Sequence, residues 1–286
     1  MGVNWVRFLE RFVIGLLFAA MVIRIALIWS EWTFGDVDAY LSAAHRLRDG
    51  LPLYAGNLDP DSYRVFRYAP WFAWLWVPLS YLPRDPVAWS WGALLAVASG
   101  SILVGLARLR RPAAWALAFL IAPWLLSLVQ VGNIQPIVAA TLAFGISRRG
   151  GPLWVGMSAS LKAVPILFVL PYVARQEWRR VVVSGVVAAV LLAPMLLTDL
   201  SGYTTDPGRS FSVYYYVSPT AWAIAAVAST GLALVLAWRR SPYVWVATAL
   251  AVMLVPPRSH ITYATYLVIG LLGGARDRIG SDRADA

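Results

Sequence analysis

Ten apolar runs separated by short polar breaks make up most of the chain. The clearest are Phe12–Ser30, Val87–Ala107, Val181–Thr198 and Thr220–Trp238. Each is close to the roughly 20 residues a helix needs to cross a bilayer. Ala113–Val129, Pro136–Ser147, Leu153–Leu161, Val164–Val173, Val244–Val255 and Ile261–Leu272 are shorter, so they must borrow flanking residues or pair as half-spans. Within hydrocarbon every backbone N–H and C=O has to be bonded within the protein, which leaves helices or closed barrels. The runs lack the strict alternation of barrel strands. The pattern therefore predicts an all-α polytopic membrane protein, one integral membrane domain over residues 1–286 with about ten transmembrane helices.

Two longer breaks interrupt the runs: Glu31–Pro86 and Asp199–Ser218. In the first, Asp38–Asp49 has helical spacing, with Tyr40, Leu41, Ala44 and Leu47 on one side and Gly50 as a stop. This predicts an amphipathic helix lying on the bilayer surface. Tyr68–Pro83, rich in tryptophan and broken by Pro70, Pro78 and Pro83, reads as an interfacial or re-entrant stretch that does not cross.

Composition sharpens the class. Of 286 residues, 60% are hydrophobic and 13% charged, whereas a soluble domain carries about 25% charged residues. A polar shell cannot be built from that supply. The net charge of +10 raises the question of nucleic acid or an anionic surface. Its arginines cluster at Arg7/Arg11, Arg108/Arg110/Arg111, Arg148/Arg149, Arg175/Arg179/Arg180, Arg239/Arg240 and Arg276/Arg278/Arg283. Ten crossings place all these clusters on one side, as the positive-inside rule requires. The charge is thus a topology signal, and no nucleic-acid partner is expected. The expectation is a multi-pass protein of the plasma (inner) membrane, both termini cytoplasmic, residues 31–86 and 199–218 extracytoplasmic, and the first run an uncleaved signal anchor. There is no cysteine and there are two histidines, so neither thiolate chemistry nor a histidine metal cluster is expected. The outer carboxylates show no ligand spacing, and no cofactor is expected either.

Chemistry then has to come from the outer segments. Asp36 and Asp38 sit just past the first run. Two carboxylates two residues apart repel when both are charged, which makes the pair a candidate source of a general base; Asp36 as a plain N-cap of the surface helix is the alternative. Lys162, the sole lysine, falls at the outer turn of a helical hairpin on the same side. A charge there is expensive unless paired or snorkelling. Gln130, Asn133 and Gln135 cluster at the outer end of the third run, where amides bind sugar hydroxyls or cap a broken helix pair. Arg24, within the first run, has to face protein or a cavity.

The order Asp36-x-x-x-Tyr40, Gly50-x-Pro52-x-Tyr54, Tyr68-x-Pro70, Pro78 and Pro83, Gly132-Asn133-Ile134-Gln135-Pro136 and Leu161-Lys162-x-x-Pro165 resembles glycosyltransferase family 87. This is a GT-C-type family of polytopic enzymes. The resemblance runs from Asp36 to about His260. It implies an inverting transfer of a sugar, mannose being the best attested, from a polyprenyl-phosphate donor to a hydroxyl of a glycolipid or glycan acceptor at the outer face. It also implies Asp36 as the base, with Asp38 second and His260 helping to position sugar or phosphate. The donor phosphate and sugar would then be held from among Lys162, Arg258, Arg67, Tyr68, Asn133, Gln135 and Arg209. A polytopic transporter or flippase of lipid-linked sugar is the rival reading, since it too would carry charges such as Arg24.

Overall fold

The computed structural model describes residues 2–54, 59, 62, 64–204, 213–257 and 261–274, and among them the chain is helical with no strand. The first half contains α1 (Gly2–Ile28), α2 (Gly35–Arg48), α3 (Pro70–Trp76), α4 (Arg84–Arg108), α5 (Pro112–Val131) and α6 (Gln135–Gly145). The second contains α7 (Gly151–Lys162), α8 (Leu170–Ala174), α9 (Trp178–Leu192), α10 (Val213–Tyr216), α11 (Pro219–Trp238) and α12 (Val244–Leu254). A last apolar helix covers Thr262–Gly274.

Five segments are long and apolar enough to cross a membrane: Phe8–Ile28 of α1, α4, α5, α9 with its 3-10 extension to Leu197, and α11. The other five predicted runs also become helices, but short ones. α6 and α12 have 11 residues each and α7 has 12. At 1.5 Å per residue, 11 residues reach roughly 16 Å, about half the hydrocarbon thickness. Half of the ten expected crossings therefore have full span length. Three of the short helical segments carry a proline as their second residue, Pro136, Pro152 and Pro165, where the ring ends one helix and begins the next. Such breaks survive in a membrane where protein covers them, and most of α6 is buried.

The helices run between two common ends. Near the finish of α6, Phe144 lies so close to Gly105 that a Cβ there would come within 2.8 Å of its ring. That contact is one turn from Arg108. Arg175 lies 5.3 Å from the Trp245 ring, joining the starts of α9 and α12 at this same arginine-bearing end. At the opposite end the Trp91 Nε1–H donates to Gly132 O at 2.8 Å, seven residues into α4, or roughly 10 Å along its axis. The α5–α6 elbow is therefore recessed below the start of α4. α1 leans on α5 through Phe18 and Phe119 (5.3 Å), and most of its surface is exposed. Arg24 is exposed one turn from the end of α1, its guanidinium 5.4 Å from the Trp124 ring, so this arginine meets an aromatic face rather than a buried cavity.

α2 starts three residues earlier than the spacing predicts and stops at Asp49–Gly50, with Gly50 at φ 68°. Its apolar side is the predicted one, yet it packs inside the protein rather than on lipid. Tyr40 is fully buried among Phe66, Tyr68, Phe72, Trp76 and Trp91. α3 supplies part of that wall and, at seven residues, is too short to cross.

Candidate active site

The site is built on the elbow. α5 ends at Gly132 with φ 81°, and Asn133 N–H bonds back to Leu128 O at 2.8 Å, a left-handed helix stop. Glycine is needed twice over: an L side chain is strained at that φ, and a Cβ would lie 2.7 Å from Val37 Cγ2 of α2. Just before the elbow, Gln130 O accepts the amides of Thr33 and Phe34 (3.2 and 2.9 Å), while its side chain donates to Ile28 O. The link from α1 to α2 is thereby stitched to the end of α5, with Phe34 itself at φ 49°. Phe34, not Asp36, occupies the N-cap of α2, and no side chain caps that helix.

Asp36 faces the elbow. Asn133 Nδ2 donates to Asp36 Oδ2 at 2.6 Å, and Asn133 Oδ1 accepts the Gln135 amide at 2.9 Å and Lys162 Nζ at 3.5 Å. Lys162 is the last residue of α7 and is followed by Ala163 at φ 51°, ψ −60°, a sparsely populated conformation for a residue with a Cβ. Its ammonium also sits 5.4 Å from the Tyr263 ring.

These residues line one cavity of about 560 Å³, within the size range of small-molecule sites. Its polar wall holds Asp36, Arg67, Tyr68, Asn133 and Lys162, with Ser160, Thr262 and Tyr263 beside them. Leu128 and Val131 of α5 and Leu192 and Met195 at the end of α9 form an apolar flank. Among the described lining residues there are one carboxylate, Asp36, and two cations, Arg67 and Lys162. The Tyr40 and Tyr68 hydroxyls lie 3.3 Å apart, and Tyr54 donates to Tyr68 O at 3.0 Å. Burial pushes the Tyr40 and Tyr68 phenols well above their ordinary 10, so both stay neutral hydroxyls at physiological pH.

Five residues expected from the sequence thus come together: Asp36, Arg67, Tyr68, Asn133 and Lys162. Asp38 does not join them. Two helical positions apart means roughly 200° around the axis, and Asp38 instead makes a paired bond to Arg84 (2.8 and 3.1 Å) at the start of α4. The repulsion expected between the two carboxylates is replaced by separation and an arginine. Gln135 does not line the cavity either. It is fully buried behind Asn133, donating to Thr265 Oγ1 at 3.2 Å and accepting from Tyr266 at 3.4 Å. His260, Arg258 and Arg209 lie outside the described residues. Lining residues that sequence reasoning did not assign to the site are Tyr40, Ser160, Tyr203, Thr262 and Tyr263. Tyr40 carried a signal, being one helical turn from Asp36, and Ser160 lies two residues before Lys162 on α7; Tyr203, Thr262 and Tyr263 come from segments that no local pattern ties to Asp36.

No curated protein and no solved structure matches the chain. The sequence model of glycosyltransferase family 87 matches residues 66–220, which include Arg67, Tyr68, Asn133 and Lys162, while Asp36 precedes the match. That match takes in more than half of a helical chain with five span-length apolar segments, and the protein belongs to glycosyltransferase family 87 as a membrane glycosyltransferase.

Proposed function

We propose that this transferase moves a hexose, mannose first among those to test, from a polyprenyl-phosphate donor to a hydroxyl of a glycolipid or glycan acceptor at the outer face. The observation that carries the reading is one cavity whose polar wall holds Asp36 together with the cations Lys162 and Arg67, beside an apolar flank from α5 and α9. A lipid-linked phosphate asks for that combination: cations for the head group and hydrocarbon-facing residues for the first part of the chain.

In the proposed step the acceptor oxygen attacks the anomeric carbon from the face opposite the phosphate. Asp36 takes the acceptor proton as the new C–O bond forms. The bond from the anomeric carbon to the phosphate oxygen breaks, and its electron pair leaves with the phosphate, where Lys162 and Arg67 offset the charge. Tyr68, as a neutral phenol, offers a hydroxyl to the sugar. The outer-face assignment is supported by helix direction: α4, α7 and α9 each have an arginine-rich end remote from the cavity.

Asp36→Asn tests the base. In membranes given radiolabelled polyprenyl-phosphate mannose, its transfer rate should fall by about 10²–10⁴ relative to wild type, the usual contribution of a general base. Transfer at the wild-type rate would remove Asp36 from the mechanism.

A further inference from the structure

Asn133 has both ends of its amide engaged. Its oxygen accepts the backbone N–H of Gln135 at 2.9 Å, and this turns the nitrogen toward Asp36, 2.6 Å away. The same oxygen meets Lys162 Nζ at 3.5 Å. A side chain so committed has little left for a sugar hydroxyl. Gln135, in turn, is clamped between Thr265 and Tyr266. The backbone amide that orients Asn133 is therefore held by the last helical segment.

We infer that Asn133 is a positioning residue: it aims the Asp36 carboxylate into the cavity and ties it to Lys162, so that the base and the phosphate-binding cation are set at a fixed spacing. The inference rests on Asp36 acting as the base. A floppy carboxylate would reach the acceptor hydroxyl in few of its orientations, and small misplacements of a reacting group are costly to rate. The charged and titratable groups that line the cavity with Asp36 are Arg67, Lys162 and the phenols of Tyr40, Tyr68, Tyr203 and Tyr263. Asn133 adds to them an amide donor whose direction is fixed by the backbone.

The alternative role for Asn133 is to hold the start of α6, and Asn133→Ser separates the two. Serine can still accept the Gln135 N–H, as hydroxyls do in such turns, but it is too short to reach Asp36. With the full chain in lipid nanodiscs and radiolabelled polyprenyl-phosphate mannose, Asn133→Ser and Asn133→Ala should both lose about 10- to 100-fold in kcat. Their donor KM should stay within about threefold, whereas Lys162→Ala should raise it; that split is the one expected when a transition-state contact rather than uniform binding is lost. Wild-type kcat in Asn133→Ser would overturn the inference. A second arm needs no donor: labelling of Asp36 by dicyclohexylcarbodiimide, which attacks protonated carboxyls, followed by mass spectrometry from pH 5 to 8. Loss of the amide donor favours the protonated form, so labelling of the serine variant should persist to higher pH than in wild type. Coincident labelling curves would overturn the inference as well. A shifted curve with no transfer by wild type would count against the polyprenyl-phosphate donor and leave the role of Asn133 standing.

Discussion

Asp36 and Asp38 have the same side chain and nearly the same position, and the helix gives them different work. The turn of α2 sends Asp36 to the cavity and Asp38 to Arg84. The Asp38–Arg84 pair has two good hydrogen bonds but is partly exposed, 35% and 43% for the two side chains. Solvent screening limits such a pair to about 1 kcal/mol. Asp38→Asn should therefore lower the melting temperature in detergent by a few degrees and leave sugar transfer within about twofold of wild type. A loss of transfer comparable to that of Asp36→Asn would put Asp38 back in the mechanism. At this scale the motif Asp36-x-x-x-Tyr40 was legible, because residues four apart share a helix face. The choice between the two carboxylates was not, since it turns on an arginine 46 residues away.

The element that decides the site is the elbow between α5 and α6. Its glycine meets two demands at once, a left-handed φ of 81° and close packing against Val37. Gly132→Ala should cost about 1–2 kcal/mol from the backbone alone, before the contact with α2 is relieved. Because the relief has to push α2 outward, and Asp36 rides on α2, transfer should fall more steeply than stability. Melting in detergent beside the transfer assay checks this, and a variant that is less stable yet fully active would show that α2 can shift without moving the base. Composition announces this turn, since Gly-Asn ahead of Ile-Gln-Pro marks a helix stop and a new start. The same local signals placed the stop of α2 at Gly50. Its start was misjudged because it is set by Gln130 O, which binds the incoming chain from another helix.

For the molecule as a whole, charge is sorted to the two helix ends, and this gives the outer-face reading a direct test. The chain has no cysteine, so single replacements report without background. In right-side-out membrane vesicles, a membrane-impermeant maleimide should label Ser201→Cys and not Arg149→Cys, both of which are exposed positions. The reverse pattern would put the cavity on the cytoplasmic side. The ten apolar runs are correct as helices, yet run length could not tell a crossing from a half-length helix supported by its neighbours. That distinction depends on which backbone breaks are covered by protein.

Hydropathy and charge by themselves determine the class of this protein: helical, membrane-embedded, basic at one end of its helices, and without cysteine chemistry. These properties follow from solvent, and each residue contributes to them without reference to its distant neighbours. Motif order adds the family, and with it Asp36 and Lys162 as residues to watch. Only the tertiary structure decides that Asp36, Asn133 and Lys162 meet around a single amide, that Asp38 is held by Arg84 and that Gln135 stands behind the site. Those outcomes depend on hydrogen bonds between segments up to 131 residues apart. Such bonds leave no trace in local composition or period, because their geometry exists only once the helices have packed.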